Sequence, residues 1–377
     1  MNDKSLQLLL YLVPFTNIIG NRVSDNASLY FLISLLSIYV LFSRSRKLKY
    51  VYKNKLCTLI ISGVVMLCLL LFTSVIYEIQ NTYYIRFYGL FFGIAFLFFI
   101  KGTATSYYYF LSRYIKYLIY LITISILIDF LLMSFGFVEL QPMFSIEQYS
   151  YHTRPFGIFG QPSVNSSLLC FLYLFYNSLY SINKNEKDTL FIVITIGCLL
   201  QGSGSGFLSY FFVLLYKYGT EKHAVRISKK LILFFILAVI SLTYLILSNA
   251  VEKISLNYMK ELYEFSVWEL WYPYVISIRN VTYILWGVPN TDISIDLGPL
   301  FIIATVGVVY FIYLTIVFFY LFKKSKQLSM KFAIVLLLVA NLHYPVMFYF
   351  IMNFLWFYIF YHIIVEEQCQ IVKQKAL

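Results

Sequence analysis

Twelve apolar runs, parted by loops that carry most of the basic residues, constrain this chain more than any motif in it. They span 6–20, 27–42, 56–77, 87–100, 117–136, 163–181, 189–201, 206–218, 231–248, 298–322, 331–345 and 347–365. A helix crossing a bilayer needs about 20 apolar residues, so the runs predict twelve spans. The runs are continuous, which favours helices over the alternating strands of a membrane barrel. Only 12% of residues are charged and 61% are hydrophobic, against about 25% charged in soluble domains. A soluble enzyme, a secreted disulfide scaffold and a single-span receptor are excluded. The expectation is an all-α polytopic membrane protein, one integral membrane domain over 1–377. Runs 189–201 and 206–218 are short and are read as two helices meeting at a flexible Gly202–Gly206 turn.

Charge placement orients the spans. With the N-terminus in the cytoplasm and each run crossing once, six of the 29 Lys and Arg fall outside: Arg22, Arg86, Arg154, Lys253, Lys260 and Arg279. The rest lie inside, as the positive-inside rule requires. Both termini are then cytoplasmic, and the net charge of +12 reports topology rather than a nucleic-acid partner. The N-terminal run, with one lysine before it and no small-residue cleavage site, is read as a retained span. The five cysteines fall in spans or inside, with no Cys/His ligand spacing, so neither a structural disulfide nor a metal site is expected.

Two outer loops are long, about 137–162 and 249–297, and long loops tend to carry function. In the second, Val251, Ile254, Met259, Leu262, Phe265 and Trp268 recur at three- and four-residue spacing. That pattern predicts an amphipathic helix at the outer interface, with Trp268, Trp271, Tyr272 and Trp286 as belt residues.

The candidate chemistry lies in these loops. Arg154 opens 154-RPFGIFGQPSVNSS-167. A guanidinium binds phosphate in a fork and keeps its charge, and Gly157 and Gly160 permit close backbone approach. Snorkelling, or pairing with Glu147, is the competing reading. Arg279 is a second outer guanidinium, free for phosphate or paired with Glu269 or Asp296. Asp292 and Asp296 stand before the tenth run as a general base or as helix caps. His152 beside Arg154, and His343 near the outer end of the eleventh run, are bases or structural histidines. His223 and His362 fall on the cytoplasmic side. Ser203 and Ser205 offer hydroxyls to an outer cavity. Asp129 lies inside a span, where ionisable groups default to function. Its competing role is packing, with a serine or tyrosine hydroxyl as partner.

Three patterns carry a resemblance: 154-RPFGIFGQPSVNSS-167, 201-QGSGSGFLSYF-211 and 286-WGVPNTDISIDLGPLFIIATVGVVYF-311. With the span count and the two long loops, they resemble bacterial O-antigen polymerases of the Wzy type and, more distantly, O-antigen ligases. Ligase-like relatives carry a histidine where Pro289 and Asn290 stand here, which argues for the polymerase. The resemblance implies joining of undecaprenyl-diphosphate-linked oligosaccharide units at the periplasmic face of the inner membrane. It implies Arg154, Arg279, Gly157, Asn290 and Ser203 as substrate-binding residues, with Asp296, His152 or His343 as base. No cofactor or metal is expected. Membrane lipid and a chain-length regulator are expected partners, and nucleic acid is not. A lipid-linked oligosaccharide flippase and the ligase are the alternatives.

Overall fold

The computed structural model describes residues 11–15, 54–76, 87, 90, 104–143, 154–179, 184–220, 260–261, 264–265, 268, 272, 281–287, 298–344, 346–349, 351–352, 355–356 and 358–363. Among them there are helices, turns and no strand. The main helices are α1 (Asn54–Ile76), α2 (Ala104–Ser134), α3 (Pro162–Ser178), α4 (Lys184–Gln201), α5 (Gly204–Thr220), α6 (Val281–Trp286), α7 (Gly298–Lys324) and α8 (Leu328–Ala340). Two are long and apolar enough to cross a membrane, over Leu111–Ser134 and Gly298–Lys324.

α3 is the centre of the bundle. It packs against α2, α4, α5 and α8, and every residue from Val164 to Ser178 is buried. A helix apolar all round belongs inside a bundle, and Pro162 at its first turn starts it where a missing N–H costs nothing.

Side-chain bonds fix the directions of the helices. Ser62 meets Tyr313 at 3.3 Å and the Tyr310 hydroxyl donates to Met66 O at 3.1 Å, so α1 runs antiparallel to α7. Ser178, ending α3, lies 3.9 Å from Met330 Sδ at the start of α8. Lys217, late in α5, pairs with Asp188 at the start of α4 at 3.0 Å. Gly298, opening α7, abuts the Asn341 carbonyl just past α8. Thus α1, α2, α4 and α8 run one way and α3, α5 and α7 the other. One end of the bundle collects Lys116, Lys187, Lys217, Lys323, Lys324 and Lys331; the other carries Arg154.

The outside is apolar as well as the inside. Ile61, Val65, Phe72 and Val75 on α1, Ile124, Leu127 and Leu131 on α2, Ile192, Ile196 and Leu199 on α4, and Ile312, Ile316 and Phe319 on α7 are all exposed. They recur at three, four and seven residues, so each helix presents a stripe that soluble proteins rarely leave in water.

Several elements differ from the expectation. The helix in run 331–345 ends at Ala340, because the chain turns at Asn341–Tyr344 ahead of Pro345. At 13 residues it rises only about 20 Å. α7 is broken at Gly307 (φ 86°, ψ 168°). There α6 comes in so close that a Cβ on Gly307 would overlap Leu285 O, and one on Gly287 would overlap Thr305 O. The Gly202–Gly206 segment is open at Gly202 and Gly204 and packed at Ser203 and Gly206. α5 already begins at Gly204, and a Cβ on Gly206 would stand 2.5 Å from Ser166 Cβ of α3. His362, read on the cytoplasmic side, does lie at the lysine end, where it is buried with its Nε2 3.0 Å from the Ser178 hydroxyl.

Candidate functional site

The turn 155–160 lies between α2 and α3 and is buried from Pro155 to Phe159. A non-helical backbone removed from water must find partners for its peptide groups, and here neighbouring helices supply them. Gln201 Nε2 of α4 donates to Pro155 O at 3.0 Å. Asn165 Nδ2 of α3 donates to Phe156 O and, at 2.9 Å, to Gln161 O. Gly157 N–H donates to Asp129 Oδ2 of α2 at 2.8 Å, and Ile158 N–H to Ser125 Oγ at 3.0 Å. Phe159 N–H donates to Asn165 Oδ1 at 3.3 Å, and Gly160 N–H closes back on Gly157 O at 3.2 Å. Six consecutive residues therefore have a backbone group engaged.

Gly157 is required twice over. Its φ of +63° is one that side chains disfavour, and a Cβ there would stand 2.7 Å from Asn165 Nδ2. Asp129, 1% exposed, takes a peptide N–H where the sequence pointed to a hydroxyl. Its own carbonyl accepts from Gln141 Nε2 at 3.1 Å, which folds the segment after α2 back onto it.

A chain of hydroxyls joins this turn to the α4–α5 junction. Ser163 Oγ lies 2.8 Å from Ser203 Oγ, which also accepts the Gly206 N–H at 3.3 Å and lies 3.3 Å from Ser205 Oγ. Deeper, Ser167 and Ser209 bond at 2.9 Å. In lipid, helices associate through such contacts and through small residues rather than through a hydrophobic drive.

Arg154 sits at the head of the clamped turn, half-buried. Among the described residues it makes no hydrogen bond and no ion pair; Glu147, the competing partner, lies outside them.

The expected site residues separate as follows. Arg154, Gly157 and Ser203 come together at one end of the bundle. Gly157 acts through its backbone. Ser203 is buried, its hydroxyl engaged in the junction. His343 lies at the same end, past α8, exposed, with its ring 4.5 Å from that of Tyr344. His152, Arg279, Asn290, Asp292 and Asp296 lie outside the described residues. Of the expected outer helix, positions 260, 261, 264, 265 and 272 are helical, and Lys260 pairs with Glu264 at 3.8 Å. Phe265, Trp268 and Tyr272 are all exposed, with the Trp268 and Tyr272 rings 5.6 Å apart. Sequence reasoning missed Ser125, Asn165 and Gln201. The available signal was polar residues inside apolar runs, with Ser125 and Asp129 four residues apart and so on one face of α2.

The opposite end is built from exposed charge. Glu186 accepts from the Tyr176 hydroxyl at 2.8 Å and pairs with Lys116 at 3.4 Å. The Tyr176 bond first, then Lys116, holds its carboxyl below the usual carboxylate range. Lys217 also lies 3.7 Å over the Phe191 ring.

No protein-family model matches the chain, and no curated protein or solved structure matches it.

Proposed function

We propose that this protein is an O-antigen polymerase of the bacterial inner membrane, a twelve-span enzyme with both termini inside. It transfers a growing glycan from its undecaprenyl diphosphate to a sugar hydroxyl of the next lipid-linked unit, at the periplasmic face. The observation that carries this reading is Arg154, a guanidinium without a hydrogen bond or ion pair among the described residues, at the head of a turn whose backbone is clamped. A diphosphate leaving group needs charge stabilisation more than a strong acid, and a permanently charged guanidinium on a fixed backbone supplies it. The alternating helix directions, the collection of lysines at the far end and the apolar outer stripes support the membrane orientation. His343, at the Arg154 end, is the described candidate for base toward the attacking hydroxyl, and His152 and Asp296 are further candidates from the sequence. The polymerase reading itself rests on the resemblance of 154–167, 201–211 and 286–311.

The test is a gel of surface glycan from a strain deleted for this gene. A core bearing a single repeat unit is expected, restored to long chains by the wild-type gene and not by Arg154→Ala expressed at the same level. Bare core instead points to the flippase or ligase. Long chains from Arg154→Ala overturn the assignment of Arg154 to the diphosphate.

A further inference from the structure

We propose that Asp129 and Gln201 are positioning residues, setting where the Arg154 guanidinium stands and so how tightly the site holds the diphosphate of its lipid-linked substrate. This rests on the function proposed above.

The bonds that helices make to the turn divide into two groups. Ser125 and Asn165 hold its later part, at Ile158, Phe159 and Gln161, and Asn165 reaches back to Phe156 O. That part runs straight into α3, so those bonds serve the start of the central helix. Asp129 and Gln201 hold the part next to Arg154, at Gly157 and Pro155, on either side of the Asn165 bond to Phe156 O. Gln201 bonds the carbonyl of Pro155, the residue joined directly to Arg154, and Asp129 bonds the N–H of Gly157. They come from two different helices, α2 and α4. Arg154 has no anchor of its own among the described residues, so the path of its backbone is the means by which its head group is aimed.

The chemistry of the two side chains fits this role. A buried carboxylate is costly, and Asp129 has no ion pair among the described residues to offset it. In return it accepts a peptide N–H about twice as strongly as a neutral oxygen does. Gln201 is the last residue of α4, immediately before the junction in which Ser203 bonds Ser163. Its carboxamide is therefore placed by the same contacts that seat α5 on α3.

The experiment is a double-mutant cycle on the full chain in nanodiscs, reading binding of undecaprenyl diphosphate per folded molecule. Asp129→Ala and Gln201→Ala are each expected to weaken binding tenfold or more when Arg154 is present. In the Arg154→Ala background the same changes are expected to cost less than twofold. Asp129→Asn, which keeps an acceptor for Gly157 N–H, is expected to stay within threefold of wild type. Equal losses in both backgrounds, or no loss in either, overturn the positioning role. Should Asp129→Ala not fold, Gln201→Ala decides by the same criterion. Failure of the functional reading looks different: Arg154→Ala then binds undecaprenyl diphosphate as well as wild type does.

Discussion

The two ends of the bundle use polarity in opposite ways. At the Arg154 end the side chains that hold the turn are buried or half-buried, and each bonds the backbone of the turn, although Asp129 Oδ1 and Gln201 Oε1 have no hydrogen-bond partner among the described residues. At the lysine end the charged groups meet one another as ion pairs at the surface, with Lys116 and Glu186 side chains 37% and 46% accessible and Lys217 and Asp188 15% and 45%, while the Ser178–His362 bond there is buried. Buried hydrogen bonds are costly to break because the group left behind stays unsatisfied. Exposed ion pairs give little, because water and salt replace them. The turn is thus held by bonds to particular peptide groups, while the Lys116–Glu186 and Lys217–Asp188 pairs depend mainly on opposite charge.

Gly157→Ala is the change that most tests the specified end. It places a Cβ 2.7 Å from Asn165 Nδ2 at a φ of +63°, and it is expected to destabilise by about 3 kcal/mol and abolish activity. Thermal unfolding in detergent beside a chain-length assay reads both, and a neutral result breaks the contrast. Asn165→Ala comes next. It strands Phe156 O and Phe159 N–H, while Gln161 O keeps the Asn165 backbone N–H, for an expected loss of about 2 kcal/mol. Asn165→Asp is expected to be worse, since an acceptor then faces two carbonyls. At the other end, Asp188→Ala is expected to cost about 0.5 kcal/mol or less, and less again in high salt. A loss as large as that of Asn165→Ala would mean the two ends are built alike. The smallest effect is Glu186→Gln. Because the folded carboxyl titrates below its usual range, its contribution is present at neutral pH and is lost as pH falls through that lowered value. Wild type and Glu186→Gln are therefore expected to differ slightly in melting temperature at neutral pH and to converge in acid.

Much of this contrast was legible in the sequence, and for a physical reason. Helices in an apolar chain announce themselves by run length, and α1, α3 and α4 lie within a few residues of the runs at 56–77, 163–181 and 189–201. Arg154 stood out because outer cations are few. What the runs do not encode is which polar side chain meets which peptide group. Asn165 reaches back nine positions to Phe156 O only because the turn doubles the chain over the start of α3. Gln201 reaches Pro155 across 46 positions of chain. Such pairings depend on how α2, α3 and α4 come together. The break at Gly307 was equally hidden, since a glycine in an apolar run reads as a small residue until another backbone is seen against it.

The approach of α6 to α7 has a consequence for how this protein can change over time. Gly287, Gly298 and Gly307 each meet another stretch of main chain, at Thr305, Asn341 and Leu285, so closely that no side chain fits. The far end of the second long loop is thereby fastened by peptide against peptide, without relying on the identity of any side chain in the loop. A segment attached in that way is free to diverge in sequence while its point of attachment stays put. On the function proposed above, the loop ahead of α6 is the natural place to exchange between relatives that handle different glycans, with the bundle left untouched as a common chassis.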